Sequence, residues 1–153
     1  MTSFKSVYDA FFSIITDDMY MEITEEQTEK DCKSLLMASI PLFEFPSQIF
    51  TFTTNECGED YFDQDLTLEE INILACGMQQ IWLTRQVYSI EVVRQKFSGS
   101  DFKVSSQASH LQRLNKLLND NKIEHRRLQM LHSRRRVKDG RYESTFDLFV
   151  KRK

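Results

Sequence analysis

The stretch Asp65-Leu66-Thr67-Leu68-Glu69-Glu70-Ile71 commits the middle of this chain to a helix. Thr67 is an N-cap residue with Glu70 three positions on. In such a capping box the two side chains satisfy backbone N–H groups that the helix itself leaves unpaired, and Leu66 is placed to staple onto Ile71. Downstream, Ile71, Leu74, Ala75, Met78, Ile81, Trp82 and Arg85 recur at intervals of three and four, the spacing of a helical face. The pattern predicts a helix from Thr67 to about Lys96, stopped by Phe97-Ser98-Gly99-Ser100-Asp101. Ser105 or Ser106 then opens a last long helix, with Ala108, Leu111, Leu114, Leu118, His125, Leu128 and Leu131 as its stripe. Two adjacent helices of about 25 residues, each near 38 Å long, are expected to pack as a long antiparallel hairpin. Four Gly and two Pro are few for 153 residues, which also favours long regular elements and short connections.

Shorter helices precede this pair. Phe4, Val7, Tyr8, Phe11, Phe12 and Ile15 share a helical face, with Ser3 and Ser6 as candidate caps, and Asp17–Asp18 breaks the pattern. Thr24 with Gln27 is a second capping box, and Glu25 and Glu26 complement the positive end of the helix it starts. That helix is expected to bury Cys32, Leu35, Leu36 and Ile40, and to end before Pro41.

Two segments break the helical period. Residues 43–64 carry Phe43, Phe45, Phe50, Phe52 and Phe62 with Ile49, Pro46 and Gly58, and read as an extended aromatic loop or loose hairpin that projects from the helices. Connections of about 20 residues are unusual in a compact domain and often functional. The other reading folds the segment back over the helices of its own subunit. Near the C-terminus, Asp139-Gly140 is the favoured turn of a two-residue β-hairpin, flanked by strands Arg135–Lys138 and Arg141–Thr145 and followed by Phe146-Asp147-Leu148-Phe149-Val150. The expected architecture is mainly α: a helical domain over 1–133, with a C-terminal hairpin and docking tail over 134–153.

Charge narrows the class of function. Residues 1–70 hold three basic and sixteen acidic side chains, a net of −13; residues 71–153 hold seventeen basic and seven acidic, a net of +10. The total of −3 thus hides a strong polarity. Such polarity fits a protein that meets a charged surface, whether nucleic acid, membrane or a copy of itself. Arg126, Arg127, Arg134, Arg135, Arg136, Lys138 and Arg141 cluster at the end of the last helix and in the hairpin, a composition able to neutralise phosphates. No helix-turn-helix spacing accompanies them, and arginine beside exposed aromatic residues is an interface composition more than a phosphate track.

Signals for catalysis are lacking. No P-loop, glycine-rich nucleotide turn or GxSxG elbow is present. His125 and His132 lie seven apart on one helical face without a third ligand in register, so no metal is expected. Cys32, Cys57 and Cys76 are isolated, which points to reduced thiols rather than disulfides or a zinc site. No secretory signal is recognised and no apolar run approaches 18 residues, so a chain that is soluble and intracellular when made is expected.

The segments DLTLEEINILACGMQQIWLTRQ and KFSGSDFKVSSQASHLQRLNKLL, and more loosely FKSVYDAFFSIITDD, resemble the small head–tail connector, head-completion or neck proteins of tailed bacteriophages. The resemblance covers roughly residues 60–130. It implies a structural virion protein without catalysis or cofactor, assembling as a homo-oligomeric ring, commonly of twelve, beneath the portal protein. Such a ring extends the channel through which DNA passes without specific binding, and presents a surface to the next neck or tail protein.

Within that picture the charge and hydrophobicity of the chain assign two sets of residues. Arg134, Arg135, Arg136, Arg141, Tyr142, Phe146, Leu148 and Phe149 are expected at the portal. Phe45, Ile49, Phe50, Phe52, Arg126 and Arg127 are expected between subunits. The competing expectation is a small regulatory protein that binds nucleic acid or an acidic partner through residues 126–141.

Overall fold

One long helix forms the centre of the molecule, with apolar side chains on two opposite sides. The computed structural model describes residues 1–15, 20, 23–44, 46–96, 104–138 and 141–144, the side chains of 91–96, 104–108, 136–138 and 141–144 excepted. In chain order the elements are β1 (Thr2–Ser3), α1 (Phe4–Ile14), α2 (Glu25–Ser39), a 3-10 turn (Ile40–Leu42), β2 (Phe52–Thr54), β3 (Asp60–Phe62), α3 (Leu68–Lys96), α4 (Val104–Arg134), β4 (Arg135–Lys138) and β5 (Arg141–Ser144). The protein is mainly helical, with a small three-stranded antiparallel sheet ordered β1-β3-β2.

The helices begin where their caps dictate. Ser3, rather than Ser6, accepts from the Lys5 amide at the head of α1. Thr24 and Gln27 bond reciprocally to form the capping box of α2. The α2 helix leaves through Pro41 in the 3-10 turn, where a proline costs no helical hydrogen bond.

The two sides of α3 bury against different clusters, and Leu128 of α4 packs against the main one as well. Leu74, Ala75 and Met78 join Phe4, Val7, Phe11, Leu35 and Leu36 in the main core, with Ile71 and Ile81 packed against it. On the opposite side Leu83 packs with Leu114 and Leu118 of α4. Trp82 touches both clusters. Glu69 meets Arg135, Cys76 meets Asn121, and Leu83 meets Leu114, so α3 and α4 run in opposite directions along their contact. Each fully buried aliphatic or aromatic side chain contributes about 1.5–3 kcal/mol, and this spine collects such burial from both sides.

Gly77 sits where α2, α3 and α4 converge. A Cβ there would stand 3.1 Å from Ser39 Cβ and 3.5 Å from His125 Nε2. Glycine is needed for this close approach, despite costing about 1 kcal/mol in helix propensity.

The aromatic segment corrects the expectation of a projecting loop over 43–64. Phe43 and Phe62 are buried, Phe50 is half-buried, and β2 and β3 form a hairpin that β1 extends. Phe62 lies opposite Thr2 on one side and Phe52 on the other. Its ring stands 4.6 Å from that of Phe4 and 5.8 Å from that of Phe50, which stands 5.6 Å from Phe43. So many rings bury too much apolar area to remain in water, and α1 offers them a partner surface. At the hairpin tip, Asn55 Oδ1 accepts from the Cys57 and Glu59 amides, and Gly58 takes φ +83°, a left-handed conformation that favours glycine. Lys33 of α2 clamps the hairpin through Asp60 at 2.6 Å.

At the other end, β4 continues α4 without an intervening residue and pairs with β5, with Arg135 opposite Ser144 and Lys138 opposite Arg141. The expected breaks at Asp17–Asp18 and Phe97–Asp101, the turn Asp139-Gly140 and the segment 145–153 lie outside the described residues.

Two outcomes follow. Gly77→Leu should destabilise the protein by about 1–3 kcal/mol or more through overpacking, read as a lower urea midpoint; an unchanged midpoint contradicts the three-helix approach. Burial pushes the Cys32 thiol up to about 12 and the Cys76 thiol to about 11, while Cys57 is exposed on the hairpin. A thiol reagent at neutral pH should therefore label one cysteine quickly, and the other two only after denaturation.

Candidate interaction surface

Helix α4 presents two contrasting faces. Inward, at helical spacing, stand Leu114, Leu118, Asn121, His125 and Gln129, all less than a tenth exposed. Three of these five are polar, and each has a defined partner. Asn121 donates to Gln79 Oε1 at 2.6 Å and to Cys76 Sγ at 3.3 Å. Gln129 donates to the Leu42 carbonyl and accepts from the Glu44 amide at 2.7 Å, tying the exit of α2 to α4. Burial pushes the His125 imidazole below its ordinary value, against the opposing effects of its bond with the Ile73 backbone and of the Glu44 charge. His125 is therefore neutral at pH 7.

Outward, Lys116, Ile123, Arg126, Arg127, Met130 and Arg134 are exposed. Ile123 is 69% exposed, high for a branched apolar side chain. Arg127 makes a bidentate pair with Glu124, at 2.7 and 2.6 Å, which raises the arginine and lowers the carboxylate from their ordinary values. Beside Arg126 a polar groove of about 190 Å³ opens, lined by Leu42, Glu44, Gln80, Lys122, His125, Arg126 and Gln129.

The end of α4 is locked to the start of α3. The carboxylate of Glu70, 1% exposed, accepts from the Thr67 amide at 2.9 Å, from the Thr67 hydroxyl at 3.0 Å and from the Ser47 hydroxyl. His132 packs edge-on against Phe43, with its ring nitrogens 3.5 Å from Glu69 and 3.8 Å from Glu70. Arg135 Nη1 reaches Glu69 Oε1 at 2.7 Å, so the first residue of β4 is pinned to α3. A buried carboxylate held by several donors suits a structural cap, and the Ser47 proton points to that carboxylate rather than to a histidine base.

The residues singled out from sequence fall in three places. Arg126, Arg127, Arg134 and Arg135 lie together along the exposed end of α4 and the start of β4. Ile49 is 83% and Phe52 42% exposed on the sheet side, whereas Phe50 is half-buried among Phe43 and Phe62. Among the described residues, Ile49, Phe50 and Phe52 belong to the sheet side and Arg126 and Arg127 to α4. Arg136, Arg141 and Tyr142 belong to β4 and β5, paired with Glu143, Lys138 and Val137 respectively. Phe45, Phe146, Leu148 and Phe149 lie outside the described residues.

Sequence reasoning missed Ser47, Asn121 and Gln129. The available signal was polar residues at core register of the α4 stripe.

Among the described residues no three His, Cys, Asp or Glu side chains are grouped to hold a metal ion, and no helix is long and apolar enough to cross a membrane. Comparison of the chain with protein-family models, curated proteins and solved structures finds no match in any of the three.

The buried neutral His125 gives a pH signature. Its folded value lies below that of the unfolded chain, about 6.5, so the unfolded state binds the proton first. Its contribution to stability is present above pH ~6.5 and is lost as the pH falls toward the folded value. The urea midpoint should therefore drop between pH 7 and 5, and His125→Gln should flatten that part of the profile; parallel profiles contradict the assignment.

Proposed function

We propose that this chain is a non-catalytic assembly subunit, a ring-forming head–tail adaptor of a tailed-phage virion that docks on the portal and extends the DNA channel. The observation that carries the reading is the spatial separation of charge. Helix α4 bears six basic side chains against Asp120 and Glu124, while α2 opens with Glu25, Glu26 and Glu29. Complementary patches on different sides of one subunit are what a heterologous, ring-closing contact requires.

Length supports the reading. Helices α3 and α4 have 29 and 31 residues, so a long antiparallel hairpin about 45 Å tall would form the wall of such a ring. The β4–β5 pair supports it too, since a two-stranded hairpin is marginal alone and is completed by a partner. In this reading the tail over 134–153 reaches the portal, the next neck or tail protein binds the opposite rim, and DNA passes without being gripped. The protein would reside in the neck of the virion after synthesis in the host cytoplasm.

A second reading is favoured by the same cations: a small regulatory protein that binds nucleic acid or an acidic partner through residues 126–141. The two separate cleanly. Mixed with the portal of its own virus, an adaptor should give portal-attached rings in negative-stain images and no gel shift of duplex DNA at about 100 mM salt. Tight DNA binding without rings sinks the adaptor. Deleting residues 134–153 should abolish portal attachment while helical circular dichroism stays nearly intact; retained attachment refutes the role of the tail.

A further inference from the structure

The cations of this protein divide into two groups. Lys5, Lys33, Arg85, Arg127 and Arg135 each meet a carboxylate within 3.1 Å. Arg113, Lys116, Lys122, Arg126 and Arg134, all exposed on α4, form no ion pair among the described residues. The acids divide in the same way. Glu59, Asp60 and Asp31 are paired, but the exposed Glu25, Glu26 and Glu29 at the start of α2 have no cation partner among the described residues. Their field is felt nearby: Lys5 is pushed above its ordinary value first by its bond to Glu59, and further by Glu29 and Glu25.

These two unsatisfied sets stand on different helices, α2 and α4. Among the described residues no ion pair joins the start of α2 to the outer face of α4, so the two sets do not neutralise each other within one subunit. The cationic face also carries an apolar centre, Ile123 and Met130, 69% and 41% exposed, rimmed by Arg126, Arg127 and Arg134. On the acidic side Met37 of α2 is 37% exposed. An apolar centre with a charged rim is the anatomy of a protein contact rather than of a phosphate track. The groove beside Arg126, at about 190 Å³, falls below the roughly 300–1,000 Å³ of a cofactor pocket and is sized for a single side chain.

We infer that the outer face of α4, from Lys116 to Arg134 with Lys122 and Arg126 at the groove, docks the start of α2 of a second copy through Glu25, Glu26 and Glu29. The inference rests on the ring-forming reading above and names the surfaces that close the ring. The contact is head-to-tail, so every subunit offers one socket and one plug. Lys122 and Arg126 outnumber Glu44 at the groove and leave it attractive to a carboxylate.

Charge reversal on the full-length protein tests this. Lys122→Glu/Arg126→Glu makes both faces acidic, and Glu26→Lys/Glu29→Lys makes both basic; all four positions are exposed, and circular dichroism checks that each variant is folded. In sedimentation equilibrium at about 50 mM salt, where charges act over more than 10 Å, the native chain should self-associate, and more weakly at about 500 mM. Each variant alone should associate at least about tenfold more weakly, and an equimolar mixture should recover association, because each variant's reversed face then meets a complement.

The inference is overturned if either variant associates like the native chain, if the mixture gains nothing, or if the native chain stays monomeric at both salt concentrations. Duplex DNA binding that Lys122→Glu/Arg126→Glu abolishes, without self-association, overturns it in favour of a nucleic-acid surface. Self-association through these faces without portal attachment would refute the adaptor and leave the surface standing. Portal-bound rings built by both variants would do the reverse.

Discussion

Burial of α3 on both sides is the constraint on which the rest of the structure depends. A helix with one apolar stripe has a solvent face and can lie at the edge of a domain. Here Leu74 and Met78 require α1 and α2, and Leu83 requires α4. Trp82 belongs to both layers, and Gly77 lets Ser39 and His125 approach the same turn. The other helices are therefore arranged around α3, and they cannot exchange places without exposing part of it.

That arrangement carries the polarity of the sequence onto separate helices. Glu25, Glu26 and Glu29 of the first half stand together at the start of α2, and six basic residues of the second half stand on α4. Within each layer some charges are spent internally: Lys33 holds the hairpin through Asp60, and Arg135 pins the C-terminal strands to Glu69. Such exposed pairs contribute little stability individually, up to about 1 kcal/mol. The charges left over determine what the surface attracts, and the acidic and basic ones sit on different helices.

Local rules were enough to place the helices. Thr24 with Gln27 and Thr67 with Glu70 mark the starts of α2 and α3 because a capping box depends only on residues three apart. Asp139-Gly140 likewise announces the pairing of Lys138 with Arg141 in β4 and β5. What depends on distant partners was not legible. Thr2 and Ser3 become a strand only because Phe62 and Tyr61, some sixty residues away, offer an edge. The aromatic segment turns inward because Phe4 and Phe43 supply ring partners for Phe62 and Phe50, which no pattern within 43–64 reveals. Ser47 reads as a loop residue, yet its hydroxyl completes the coordination of a buried carboxylate that the capping box alone would leave partly bare. Asn121 and Gln129 stand at core register on α4 and look like breaks in the stripe until Gln79 and the Leu42 carbonyl are seen opposite them.

The central claim is that opposed charge faces, rather than the small net charge, govern how molecules of this protein meet. The most direct measurement is the osmotic second virial coefficient from static light scattering, followed from about 500 mM down to about 20 mM salt as screening is removed. A net charge of −3 spread evenly over the surface would make the molecules repel more as salt is lowered, and the coefficient would rise. Opposed faces predict the reverse: the coefficient falls and turns negative as the acidic side of one molecule finds the basic side of the next. A coefficient that stays positive and grows at low salt would contradict the account.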